Sequence, residues 1–403
     1  MPANNRARRR AARALATDPS LGEADDDMLD TEDSVLDDTT AGPLHPPGSG
    51  EPLVQEFPAQ SPLAGGRLRV VGYPPYKKPP VEVGELPLTF GSYPNAIAQP
   101  REPGRKSKSQ VGAIFTADGE RVDASHRGKF GHLWDRTADA LPENQRNPLR
   151  VIPGRSVYGG HWGPAFGHIL LETLPRFWPE VDYDGYDHVV FYPKRLSTNQ
   201  IEPAPYIDHL ISSAGLERAD YVMMTHGGAR FEQIDIASPS VVMKRAADVR
   251  FLNVFDRMAA RLLAEHDPDA PRPKRVYLSR SHLPRRKRNA TNEERIEQLL
   301  IKHGFEIIHP QELTIPHQVS LMHHAEVIAG CDGSGMHMSA FAQPGAKLLA
   351  IDSRTVPNQF LIDQARHLDA LHVLAVDAPL DERDETWRID RKKVRLGLDM
   401  LLS

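Results

Sequence analysis

The chain has one cysteine, Cys331, in 403 residues. A single thiol excludes an internal disulfide framework and a cysteine-built zinc site, and it fits a reducing, cytoplasmic setting. No run of eighteen or more apolar residues occurs, so no transmembrane helix is expected. The N-terminal arginines are not followed by an apolar segment, so a secretory signal is not expected either. Positive charge is also not in excess. The formal net charge is -5, and residues 1–38 hold five arginines and ten acids (5 - 10 = -5), which leaves the remaining 365 residues neutral. A neutral body is not that of a general nucleic-acid binder. The 18 histidines show no metal-ligand spacing, so no metal is expected.

Residues 1–64 read as a disordered tail and linker. "RARRRAARALA" is basic, "EADDDMLDTEDSVLDD" is acidic, and "AGPLHPPGSGEP" is a Pro/Gly connector. Such segments bury too little apolar surface to offset chain entropy. The arginine run reads as a solvated stretch that can fold back on its own acids, with contact to anionic lipid or nucleic acid as the alternative.

Residues 65–270 read as an α/β domain. "RLRVVGY", "LPLTFGSY" and "VGAIFTADGERVDAS" are strand-like, and Asp118-Gly119 in the last of them marks a hairpin turn. A strand "HVVFYP", a helix at "APYIDHLISSAGL", a strand "DYVMMT" and a helix from Lys244 to Glu265 follow. "HDPDAPRPKR" then serves as the candidate linker between domains.

Residues 271–378 read as a nucleotide-binding, doubly wound domain. "RVYLSR", "FEIIHP", "EVIAG" and "AKLLAID" are short apolar strands without alternation, as in a parallel sheet buried on both faces. Helices separate them. One is expected to start at Asn292 behind a capping box of Thr291 and Glu294 and to stop at Gly304. "PHQVSLMHHA" and "MHMSAFAQ" are the others. Residues 379–403 end in a helix, "RKKVRLGLDMLL", expected near the domain junction or on a membrane face.

Three stretches carry candidate chemistry. In "EVIAGCDGSGMHMSAF" a strand ends, Gly333, Ser334 and Gly335 form a turn, and a helix begins. Free N–H groups at such a helix start suit a diphosphate. The alternative is that the glycines only allow close packing of strand and helix. Second, "RPKRVYLSRSHLPRRKR" holds eight Lys/Arg in seventeen residues and no acid. Arg280 falls just past a strand, on the edge where the glycine turn opens, and Arg288 is a further phosphate candidate. Third, "GPAFGHILLETLPRFW" is a helix opened by Pro164 and closed by Pro175, with His168 and Glu172 four apart on one face. A neutral imidazole near a helix start suits a general base that Glu172 would orient. A half-buried structural pair is the alternative. His323, His324 and His337 read as surface or supporting residues, Cys331 as a small buried hydrophobe, and Asp352 as either facing the ligand edge or capping a turn.

The order of these features resembles glycosyltransferase family 61, a group that includes capsular-polysaccharide-type, xylosyl- and N-acetylglucosaminyltransferases. The resemblance runs from about residue 110 to 355. The family's G-H-x-x-x-E-x-L-P-R block corresponds to Gly167, His168, Glu172, Leu174, Pro175 and Arg176; its S-R and N-E elements to Ser279-Arg280 and Asn292-Glu293; its F-x-x-P-G ending to Phe341, Pro344 and Gly345. Asp332 stands where the family's H-G-A-G has histidine. The resemblance implies a GT-B-like fold, with two Rossmann-like domains facing across a cleft. It further implies a nucleotide-sugar donor, a glycan or lipid-linked saccharide acceptor, no cofactor, and inverting transfer for surface polysaccharide. In that reading His168 and Glu172 are catalytic, and Arg280, Arg288, Asn292, Glu293, Asp332, Gly333, Ser334 and Gly335 hold the donor. A polysaccharide pyruvyltransferase and a catalytically silent glycan- or nucleotide-binding protein are the alternatives.

Overall fold

The computed structural model describes residues 52–60, 66–72, 82–83, 86–99, 113–126, 139–146, 150–162, 165–193, 204–224, 227–283, 289–354, 356–378 and 386–403. Most of the expected N-terminal tail, Pro164 and Arg288 lie outside the described residues. Among the described residues no helix is long and apolar enough to cross a membrane.

Two sheets organise the chain. The second is six-stranded and wholly parallel, in the order Glu306–Ile308, Arg275–Leu278, Val327–Cys331, Lys347–Asp352, Asp369–Leu374 and Arg67–Val71. Its strands are short and apolar because both faces are covered. Tyr277, Ala329, Leu349 and Leu371 face one cluster, with helices Glu293–Ile301 and Arg391–Leu402. Val276, Ile328, Leu348 and Ala370 face the other, with helices Ile315–His324 and Pro357–Ala365 and the 3-10 helix Ser334–Phe341. The sixth strand, Arg67–Val71, comes from the part of the sequence assigned to the first domain and pairs with Asp369–Leu374.

The first sheet has a parallel core: Ala229–Ala237, Arg150–Trp162, His188–Pro193 and Asp220–Met223 lie side by side. Leu88–Pro94 and then Leu53–Phe57 extend it antiparallel. Leu53–Phe57 corrects the expected linker, which was read as disordered through residue 64. Phe57 docks its ring edge-on at 4.9 Å from Trp178, and that contact holds the strand. The hairpin turn at Asp118-Gly119 forms, with Thr116 N–H bonded to Glu120 O.

Three further expectations need correction. Helix Leu252–Glu265 starts eight residues later than Lys244, because Lys244 has positive φ and Asp248 caps a short 3-10 turn, Val249–Phe251. The capping box at Thr291 does not form. The Thr291 hydroxyl donates to Trp387 O, and Asn292 caps the helix start without a side-chain bond. The C-terminal helix lies away from the junction, on the face of the second sheet turned from the shared helices. Val394, Leu398 and Leu401 pack on the second sheet, and a Cβ at Gly397 would stand 2.8 Å from Val373.

One apolar cluster runs from the first sheet to the second. It contains Val189 and Phe191 of the first sheet, Leu170 and Phe255 of the connecting helices, and Ile328 of the second sheet. Phe255 and Phe341 meet edge to face at 5.1 Å within it. The helices are therefore a shared layer between two sheets, and the site lies at the top of that layer.

Candidate functional site

In the second sheet the strand order reverses at Arg275–Leu278. Its chain successor, Glu306–Ile308, lies on one side and Val327–Cys331 on the other. Connections leave such a point in opposite directions and open a crevice at the carboxyl ends of the two strands. Arg280 and the turn Asp332–Gly335 sit at those two ends. Arg280 Nη1 donates to Asp332 O at 3.3 Å. A Cβ on Gly333 would collide with the same guanidinium nitrogen, so only glycine lets Arg280 lie across the bend. The first intrahelical bond runs from Met336 N–H to Gly333 O, so the helix starts at Ser334 and Gly335, beside Arg280. No described atom stands within 4 Å of where a Gly335 side chain would begin.

Buried neighbours fix Arg280 in place. Glu293 Oε1 accepts from Arg280 N–H at 2.9 Å and from Tyr277 O–H at 2.9 Å. Burial pushes the Glu293 carboxyl up, and those two donors oppose the rise. Glu293 thus supports the Arg280 edge from beneath. Asn292 faces away: its amide donates to Ile389 O and accepts from Ile389 N–H. Cys331 is buried with its thiol pushed well up, first by burial, as expected of a packing residue.

Asp332 turns its side chain inward. Oδ2 accepts from Ser353 O–H at 2.8 Å, and Arg354 Nε lies 3.8 Å away. Oδ1 is buried with no partner among the described residues. Burial first, then the charge of Asp352, lifts the carboxyl from 3.8 to about 6. An acid raised in this way holds its proton more tightly folded than unfolded, so stability falls as pH climbs from about 4 to about 6 and is level above. Asp332→Asn keeps an acceptor for Ser353 and carries no charge. It is expected to raise the melting temperature more at pH 7 than at pH 4, by up to about 3 kcal/mol of unfolding free energy. Equal changes at the two pH values contradict this.

The first sheet supplies the facing wall. Strand Arg150–Trp162 lies between its successor, His188–Pro193, and Ala229–Ala237, so its carboxyl end is a second reversal point. From there the chain enters a helix that runs through three turn types: α at Phe166–His168, π at Ile169–Thr173 and 3-10 at Leu174–Arg176. It ends one residue past Pro175. Single π turns inside helices recur at functional sites. His168 Nδ1 and Glu172 Oε1 are 2.9 Å apart, and the two side chains are only 18% and 10% exposed. Arg176 belongs to the scaffold. It is buried and donates to Ala124 O and Ala237 O, which fastens the helix end to the first sheet.

The two edges touch. A Cβ on Gly167 would stand 3.0 Å from Ser334 Cβ and 3.7 Å from His337 Cδ2. Glycine therefore brings the helix start that carries His168 against the bend that carries Arg280. His337 joins the site here. Nothing in its local sequence marks it, since its neighbours in space come from 170 residues earlier. Asp352 does not face the ligand edge; it is fully buried against His372.

Among the described residues one group could gather a cation. His282, His309 and Glu312 bring ligand atoms within 4.8 Å of one another. The two imidazoles stack at 3.5 Å and 2°, so their in-plane lone pairs run parallel and do not converge. A shared ion would require one ring to turn.

Two sheets with parallel cores, whose reversal points abut through a glycine, define an α/β protein with a crevice at its strand ends. A family model for glycosyltransferase 61 matches residues 166–349, from the helix that carries His168 to the strand after the glycine bend. Over that segment the chain is similar to glycosyltransferase family 61. No curated protein matches the chain.

Proposed function

We propose that the protein transfers a sugar, with inversion, from a nucleotide-sugar to a hydroxyl of a glycan or lipid-linked saccharide during surface polysaccharide synthesis. The match to the glycosyltransferase family supports a transferase with donor and acceptor substrates. The finer reading rests on one observation: Arg280 lies across a glycine bend at the reversal point of a parallel sheet. A diphosphate fits there between a guanidinium and the helix N–H groups. Both groups meet the charge that develops on the leaving diphosphate, so this reading calls for no metal. His168 takes the proton of the attacking hydroxyl, and Glu172 orients the ring and balances the charge it acquires. The first sheet is then the acceptor side and the second the donor side, as in a GT-B enzyme. The single buried cysteine fits a cytoplasmic reaction.

A thermal-shift screen tests the reading. Nucleoside diphosphates and their sugars are expected to raise the melting temperature, by the linkage of ligand to the folded state. Stabilisation by phosphoenolpyruvate alone points to a pyruvyl donor instead. Binding of a nucleotide-sugar without turnover on any saccharide acceptor points to a silent binding protein.

A further inference from the structure

The stacked pair His282 and His309 stands on the same sheet edge as Arg280. Arg280 and Leu283 close a turn, with Leu283 N–H bonded to Arg280 O at 2.9 Å, and His282 sits at its corner. His309 directly follows strand Glu306–Ile308, which pairs with Arg275–Leu278. The strand order puts His309 on one side of Arg275–Leu278 and the glycine bend on the other. Two residues of chain span at most about 7 Å, so His282 stays within a nucleoside's length of Arg280.

The pair has the form of a platform. Its rings are 3.5 Å apart and 2° from parallel, close to the spacing of about 3.4 Å at which bases stack on one another. Two imidazolium rings would repel at that distance. One of them is kept neutral: burial first, then the charge of His282, lowers the His309 imidazole. Glu312 Oε1 lies 2.7 Å from His282 Nδ1 and holds that ring in place. His309 covers one face of His282 and Glu312 takes one nitrogen, yet the His282 side chain is 55% exposed. The open surface is then its second face, where a third flat ring can lie.

From this we infer that His282, backed by His309, stacks against the nucleobase of a nucleoside diphosphate whose phosphates lie on Arg280 and the glycine bend. The inference rests on the nucleotide-sugar reading above and adds to it what holds the base. Every base has a flat face, so the pair supplies affinity for nucleosides and little choice among them. The parallel rings separate this role from that of a cation site, which would need one ring to leave the stack.

Calorimetry on the full chain tests it with wild type, His282→Ala and His282→Phe, against uridine, guanosine and thymidine diphosphates, with a chelator present throughout. His282→Ala is expected to weaken the preferred nucleoside diphosphate about tenfold, within the range that one lost stacking ring costs. His282→Phe keeps a flat ring without nitrogens and is expected to bind close to wild type. NMR of the His282 ring protons reads the contact directly. A nucleoside diphosphate is expected to shift them upfield, by the ring current of the base above them, whereas inorganic pyrophosphate is not. Wild-type affinity in His282→Ala, or no upfield shift with a nucleoside diphosphate bound, overturns the inference and leaves the phosphate site standing. A loss in His282→Ala that His282→Phe does not restore assigns the ring nitrogens, not the ring face, and overturns it too. If the wild type binds no nucleoside diphosphate, the nucleotide-sugar reading itself fails, and the base contact with it.

Discussion

Arg280→Ala is expected to weaken binding of a nucleoside diphosphate about 100-fold and to lower the rate of transfer by at least as much. The size follows from the chemistry. A charge-assisted bond to a phosphate contributes about 1.5–3 kcal/mol, and a guanidinium offers two at once. A donor aimed at developing charge is worth about 10²–10³ in rate. The loss should come without unfolding. Arg280 Nη1 has a single long bond to a carbonyl, and no described residue accepts from its buried Nε. The backbone bond from Arg280 N–H to Glu293 survives the substitution. Arg280→Lys keeps the charge and loses the fork, so it should fall between wild type and alanine. Diphosphate affinity equal to wild type in Arg280→Ala, read by calorimetry, contradicts the assignment.

His168→Ala is expected to lower the transfer rate by about 10²–10⁴, the usual worth of a positioned base. Diphosphate affinity should not change, because His168 belongs to the other wall. Glu172→Gln should cost less, since the amide still holds His168 Nδ1 but cannot balance charge on the ring. A single-turnover assay separates these effects from product release. Transfer at the wild-type rate in His168→Ala would make the His168–Glu172 pair a packing feature.

The second sheet is legible because its units are local. Each short apolar strand, such as "EVIAG", is followed by a turn and a helix, and parallel β/α units repeat that order. Arg280 and the glycine bend could be found for the same reason: both sit one or two residues past a strand end. The first sheet was harder. Its longest strand, Arg150–Trp162, contains Gly154, Gly159 and Gly160, which mask its β character. The glycines have separate structural reasons. A Cβ at Gly159 would strike the Phe191 ring, and Gly160 takes φ +90° where the pairing with His188–Pro193 slips by one residue.

Side-chain partnership was the least legible. Thr291 and Glu294 have the spacing of a capping box, yet the partners of Thr291 and Asn292 come from residues 387 and 389. The buried group of Asp352, His372 and Asp363 draws on two adjacent strands and a helix. Ala350 pairs with His372 in the sheet, which puts Asp352 beside that ring. Sequence shows two aspartates and a histidine there, with no sign of which strands pair. Asp332 illustrates the same limit. Its place in the sequence put it among residues that hold the donor, whereas its burial against Ser353 turns the carboxyl inward.

A crystal structure of the full chain with a nucleoside diphosphate tests the central assignment most directly. The distal phosphate is expected about 3 Å from the Arg280 guanidinium and from the N–H groups of Ser334 and Gly335. A diphosphate ordered elsewhere, with Arg280 still lying on the Asp332 carbonyl, would contradict it.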